Sequence, residues 1–313
     1  MVVIDELSAA RQVLEEAHLD VLLYTDIGLH APATLLAHSR LAPVQVSTWV
    51  FPASLQLPHI DHMLVGESLL RELDIVRDIP SVGRAPKADS LRVAMREQTV
   101  LLPGLGAHLI IPQAHLPMKE TSAGALRVSL LASTKNATNA EDPPYGVASM
   151  YVTVAAAPKW SPSFARAALQ VLQRNSHAVL VVMEGQTVQD PSSTGDASDA
   201  GPTRAQNWKT GIIRMLLRQA AEMSEDSVLQ RVIFWHRLPG KSYAALLGAS
   251  TAVLDTFPYS GFTSILDGLA TGVPVVAMGP TGPDSVLRSG SLAPVQGAAL
   301  LRTCGVGQLV ARS

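Results

Sequence analysis

The stretch from Leu254 to Val276, Leu-Asp-Thr-Phe-Pro-Tyr-Ser-Gly-Phe-Thr-Ser-Ile-Leu-Asp-Gly-Leu-Ala-Thr-Gly-Val-Pro-Val-Val, constrains the fold more than any other part of the chain. The apolar run at 252–254 reads as a strand, and Gly261 permits a tight turn. From Thr263 and Ser264 the pattern becomes helical, carrying Ile265, Leu266 and Leu269 inward, and Gly272 before Pro274 ends it as a second strand begins at 273–276. A strand, a crossover helix and a strand in succession fit a parallel sheet covered by helices.

The start of that helix has two readings. Its first amides have no acceptor within the helix, and with the positive end of the helix dipole they favour an anion such as a diphosphate. Ser264 to Asp267 also fits the hydroxyl-x-x-acid pattern that merely closes a helix end.

Helix and strand patterns alternate along the rest of the chain, so the fold class is α/β. In the first part, residues 20–24, 44–49, 62–65 and 99–102 read as strands, and 11–18 and 32–39 as helices. The second part reads as strands at 150–155, 178–183 and 231–235, with helices at 162–175, about 206–223 and 242–248. This is a Rossmann-like succession, whose ligands sit outside the carboxyl ends of the strands. A polar interruption with one candidate strand at 126–131 divides the chain into a first domain at 1–117, a linker at 118–147 and a second domain at 148–313. Residues 187–204 are too poor in apolar groups to offset the entropy of ordering them and read as a flexible insert.

Lys and Arg number 24 against 26 Asp and Glu, a net charge of −2 that offers no chain-wide attraction to nucleic acid or anionic membrane. No apolar run approaches the ~18 residues of a membrane span, and residues 1–8 carry acid where a secretory leader carries base. The single cysteine, Cys304, suits a reducing compartment. The expectation is a cytoplasmic or nucleocytoplasmic protein with no nucleic-acid and no membrane partner. The nine histidines show no metal-ligand spacing and no Asp-x-Asp triplet occurs, so no metal and no cofactor are expected. A nicotinamide enzyme, a P-loop NTPase and a serine hydrolase are each disfavoured by the absence of their glycine-rich or nucleophile-elbow motifs.

Lys159, in the loop after strand 150–155, is either a solvated lysine or a cation facing the same crevice as Thr263 and Ser264, where together they would hold a nucleotide diphosphate. Asp267 can accept hydrogen bonds from ribose hydroxyls or cap the helix backbone. The ring of Tyr243 lies against a base or packs in the interior. His30, His59 and His62, near strand ends of the first part, are candidates to border an acceptor cleft.

Taken in order, the segments at 20–28, 40–46, 57–61, 101–106, 231–234, 254–258, 261–264 and 272–276 resemble the O-GlcNAc transferases of glycosyltransferase family 41, including bacterial and SPINDLY-like members. The resemblance spans nearly the whole chain and marks it as a partial or divergent member. It implies a GT-B fold of two Rossmann-like lobes, the first incomplete, with the acceptor on the first lobe and the nucleotide sugar on the second. It also implies an inverting enzyme that moves N-acetylglucosamine from UDP-GlcNAc, its donor substrate, to Ser or Thr hydroxyls of a protein or peptide. Lys159 falls on the family's diphosphate-binding lysine, Thr263 and Ser264 on its phosphate-binding hydroxyl pair, Asp267 on its ribose-binding aspartate and Tyr243 on a position near the uracil. The resemblance names no catalytic base in this chain. Phe262 stands where the family often has histidine or glycine, Ala156 replaces a glutamine that helps hold the phosphates, and Tyr243 replaces a histidine. The tetratricopeptide repeats, the start of the first lobe with its histidine near the reaction centre, and the family's closing helices have no counterpart. Residues 1–313 alone are therefore expected to bind UDP but to glycosylate peptides little. The alternative is a non-catalytic UDP-sugar-binding or scaffold protein of the same fold.

Overall fold

The computed structural model describes residues 4–72, 95–107, 149–183, 203–220, 223–235, 238, 240–279 and 291–311. The expected linker and the candidate strand at 126–131 lie outside them, as does most of the expected insert.

In the first lobe, α1 (Ile4–Glu16) leads into β1 (Val21–Tyr24), α2 (Ala31–Leu36), β2 (Val44–Thr48), β3 (His62–Gly66), α3 (Glu67–Arg71) and β4 (Gln98–Leu102). The four strands form one parallel sheet in the order β1-β2-β3-β4. Gln45 on β2 is fully buried and stays satisfied by accepting from Leu41 N at 2.7 Å and donating to the carbonyls of Ser39 and His59 at 3.1 and 2.8 Å. Arg40 grips Asp61 through both guanidinium nitrogens, and this partner holds the Asp61 carboxyl below its ordinary range.

The second lobe runs β5 (Ser149–Thr153), α4 (Pro162–Arg174), β6 (Ala178–Met183), α5 (Thr203–Gln219), α6 (Glu225–Arg231), β7 (Val232–Trp235), α7 (Gly240–Ala249), β8 (Ala252–Leu254), α8 (Thr263–Ala270), β9 (Val275–Met278), α9 (Gln296–Thr303) and β10 (Val310–Ala311). Its six parallel strands lie in the order β7-β6-β5-β8-β9-β10. All six residues of β6 are buried, as a parallel strand covered on both faces requires. Val179, Val181 and Met183 face one cluster with Leu246 and Leu247 of α7, while Ala178, Leu180 and Val182 face another with Leu169 of α4 and Leu216 of α5. α5 starts at Thr203, inside the expected insert, because its polar first turn carries none of the apolar periodicity that marks its later turns.

Local chemistry sets the element ends. Ser161 caps α4 by accepting from Phe164 N at 3.0 Å, with Pro162 at the first helical position where a missing amide costs nothing. Gly272 ends α8 with φ 79°, and the bonds Gly272 N to Leu269 O (3.0 Å) and Val273 N to Gly268 O (3.2 Å) form a Schellman closure.

The lobes share a core. Trp49, Met63, Val65, Leu69, Leu70 and Met95 of the first pack with Leu292, Val295 and Ala299 from the end of the second. Leu292 N donates to Pro52 O, and Arg302 pairs with Glu72. Among the described residues no helix is long and apolar enough to cross a membrane.

Candidate functional site

In the six-stranded sheet, successive strands run outward from β5 in one direction and from β8 in the other. A crevice opens between their carboxyl ends wherever order reverses in this way. Lys159 lies in the loop after β5, and the loop after β8 leads into α8. Two side chains tie these loops together. Lys159 Nζ donates to Ser260 O at 3.4 Å, and Ser161 Oγ donates to Phe257 O at 2.6 Å. The rings of Trp160, Phe164 and Phe257 stack edge to face beneath them.

Asp255, the first residue after β8, organises the second loop. Its side chain is buried, Oδ2 accepts from Ser260 Oγ, and Oδ1 accepts from Gly261 N at 2.7 Å. A Cβ on Gly261 would lie 2.2 Å from Ser264 Oγ, and one on Gly297 of α9 would lie 2.4 Å from Ser260 Oγ and 2.8 Å from Asp255 Oδ2. Glycine at both positions lets two elements close on the carboxylate. Burial pushes the Asp255 carboxyl up to about 7, against the opposing pull of Ser260, Gly261 and Lys159. Lys159 is pulled below its ordinary value by burial, and Asp255 partly restores it.

The start of α8 follows directly. Phe262 occupies the N-cap position with no side-chain capping bond, Thr263 is exposed and Ser264 is half-buried. The Ser264-to-Asp267 pattern does not form the cap, because the helix begins at Thr263 and the Asp255 clasp on Gly261 fixes the approach instead. Asp267 accepts from the Tyr243 hydroxyl at 3.1 Å. Tyr243 projects from α7 and packs, partly buried, against the cluster on one face of the sheet. Burial and the neighbouring Asp267 charge raise its pKa, so the phenol remains a donor.

Phe262 meets Trp49 of the first lobe edge to face, with ring centroids 4.6 Å apart. His30 occupies the N-cap position of α2 at the carboxyl edge of β1, exposed, with Nδ1 3.6 Å from Asp26 Oδ2. His59 and His62 differ, since both lie at the amino end of β3, the opposite edge of the sheet. Among the described residues no group of three His, Cys, Asp or Glu could hold a metal ion.

The sequence reading missed Asp255 and Gly297. An acid directly after a predicted strand, followed six residues later by glycine, is a signal for Asp255, whereas nothing local marks Gly297. Gly297→Ala is expected to destabilise the chain by about 1–3 kcal/mol through overpacking. Gly211→Ala, where a Cβ on α5 meets nothing within 4 Å, should instead stabilise it by about 0.5–1 kcal/mol. Denaturant midpoints of the two variants check the contrast, and equal midpoints would refute the close approach.

No protein-family model matches the sequence, and comparison with curated proteins gives no match. Among solved structures the chain is similar to a mutant of the O-GlcNAc transferase from Thermobaculum terrenum, with a TM-score of 0.62 at 18% identity over 98% of this chain and 45% of that one. It is also similar, at lower scores, to Anabaena HepE in complex with UDP and glucose (TM-score 0.46, 13% identity, 96% and 79% covered). A third is the pneumococcal O-GlcNAc transferase GtfA in complex with UDP and GlcNAc (0.44, 8%, 97% and 56%). This chain thus spans less than half the length of the Thermobaculum protein.

Proposed function

We propose that this chain, which has the GT-B fold of two α/β lobes built on parallel sheets of four and six strands, is a glycosyltransferase that binds a UDP-sugar in the β5/β8 crevice and transfers the sugar, N-acetylglucosamine from UDP-GlcNAc, with inversion to a Ser or Thr hydroxyl of a protein or peptide. One observation carries this reading: Lys159 and the loop that starts α8 are bonded to each other at the carboxyl edge where the strand order reverses.

The chemistry follows from that arrangement. A departing UDP gathers negative charge on its terminal phosphate. A fixed ammonium at Lys159 and the first-turn amides of α8, with the hydroxyls of Thr263 and Ser264, are groups that meet such charge without reorganising. Asp267, held by the Tyr243 phenol, offers carboxylate oxygen to ribose hydroxyls. His30, at the carboxyl edge of the first sheet, is placed on the acceptor side in this reading. The similarity to a protein described as an O-GlcNAc transferase supports the choice of sugar and acceptor.

Calorimetric titration of UDP and UDP-GlcNAc, followed by incubation with labelled donor and Ser/Thr-rich peptides, tests the proposal. Saturable binding with label on peptide is expected of a transferase. Binding with neither transfer nor donor hydrolysis would select a nucleotide-sugar-binding scaffold. Absence of UDP binding would overturn both.

A further inference from the structure

Asp255 is a buried carboxylate in the loop that leads into α8, and a phosphate held at the start of that helix would meet it with like charge. Its two oxygens are committed to Ser260 Oγ and Gly261 N, and the glycines at 261 and 297 leave it no room for solvent-like rearrangement. Lys159, from the loop after β5, is the charged group that acts on it among the described residues. From α9 the facing residue is Gly297, and from its own loop Ser260, Gly261 and Thr256 supply neutral hydrogen-bonding groups. Lys159 thus stands between two negative partners, Asp255 in the free protein and a phosphate in the complex.

Building on the UDP-sugar reading of this crevice, we propose that Asp255 is the positioning residue of the diphosphate site and takes up a proton when a nucleotide diphosphate binds. The bond that forms is O–H on the Asp255 carboxyl, and the proton comes from solvent. A neutral carboxyl still accepts from Gly261 N through its carbonyl oxygen and can donate to the Ser260 hydroxyl, which turns from donor to acceptor. The loop therefore keeps its shape in both states. Lys159 is released from its buried counter-charge and becomes fully available to the phosphates.

The sign is fixed by linkage. A bound anion disfavours a nearby carboxylate, so the carboxyl is higher in the complex than in the free protein. The complex holds more protons across the interval between the two values, and affinity rises as pH falls through it. Because burial already brings the free carboxyl to about 7, this interval begins near neutrality.

UDP-GlcNAc is the probe, because its phosphates are diesters whose charge is constant from pH 6 to 8.5. Titration into the full chain at pH 7.5, in buffers of different ionisation enthalpy, should show a net uptake of a fraction of a proton per nucleotide. Affinity should be about three- to tenfold tighter at pH 6.5 than at pH 8.5. Asp255→Asn should bind with no uptake near neutrality and with a flat pH profile. Ser260→Ala, which removes a donor that favours the ionised form, should shift the uptake maximum to higher pH and serves if the first variant does not fold. Binding without buffer dependence would overturn the inference while leaving the UDP-sugar reading intact. Uptake that persists in Asp255→Asn, or is unmoved in Ser260→Ala, would assign the proton elsewhere and also overturn it. No binding by the wild-type chain would remove the reading and the inference together.

Discussion

Trp49→Ala is expected to cost about 3–5 kcal/mol of stability, the largest loss of any single change considered for this chain. The side chain is 3% exposed and belongs to a cluster that draws on both lobes, with Met63, Leu69 and Met95 from one and Leu292, Val295 and Ala299 from the other. Removing the indole leaves a cavity bounded by two sheets' worth of packing that cannot both move to fill it. It also removes the edge-to-face partner of Phe262, the residue from which α8 starts. The expected signature in denaturant is a lower midpoint with the slope nearly unchanged, because the whole chain loses a shared core. A loss below ~1 kcal/mol would mean that the lobes touch without stabilising each other. Trp49→Phe, which keeps an aromatic ring beside Phe262, should recover part of the loss.

What the sequence made legible is what neighbouring residues decide. Six apolar residues, half of them valine, bounded by polar ones fit a doubly covered strand by their length and β-branched content, and β6 is that. Ser161 followed by Pro162 marks a helix start, and Gly272 before Pro274 marks a helix end, because capping and positive φ are properties of single positions. The same locality brought Lys159, Thr263 and Ser264 into consideration, each beside the end of an element, with Tyr243 and Asp267 inside α7 and α8. Hidden from the sequence were particular side-chain contacts between residues far apart. Nothing local in the sequence places Val295 and Ala299 against Met63 and Leu69 of the other lobe. Asp255 is visible as an acid after a strand, yet its clasp depends on Gly297, which arrives from a helix beyond the next strand. Ser264 and Asp267 had the spacing of a cap, and the helix start at Thr263, with Phe262 at the N-cap, decides against it.

Lys159→Ala is expected to weaken UDP binding by about 1.5–3 kcal/mol, roughly ten- to 150-fold in Kd, while leaving stability nearly unchanged. The two halves of that expectation have different grounds. For binding, an ammonium already drawn into a partly buried position has less water to shed when a phosphate arrives, so more of the charge-assisted bond survives as net affinity. For stability, the contacts to be lost are weak: a long bond to Ser260 O at 3.4 Å and a position 4.7 Å from the centre of the Tyr259 ring. Losing Lys159 would ordinarily strand a buried charge at Asp255. That carboxyl, however, already sits near the point where it can protonate, and it keeps the bonds from Ser260 and Gly261, so the penalty stays small at neutral pH. Calorimetric titration of UDP, set beside a denaturant midpoint for the same variant, separates the two. A variant that binds UDP as tightly as the wild type would make Lys159 a loop lysine that merely fastens one turn to another, and the crevice between β5 and β8 would lose its claim to a diphosphate.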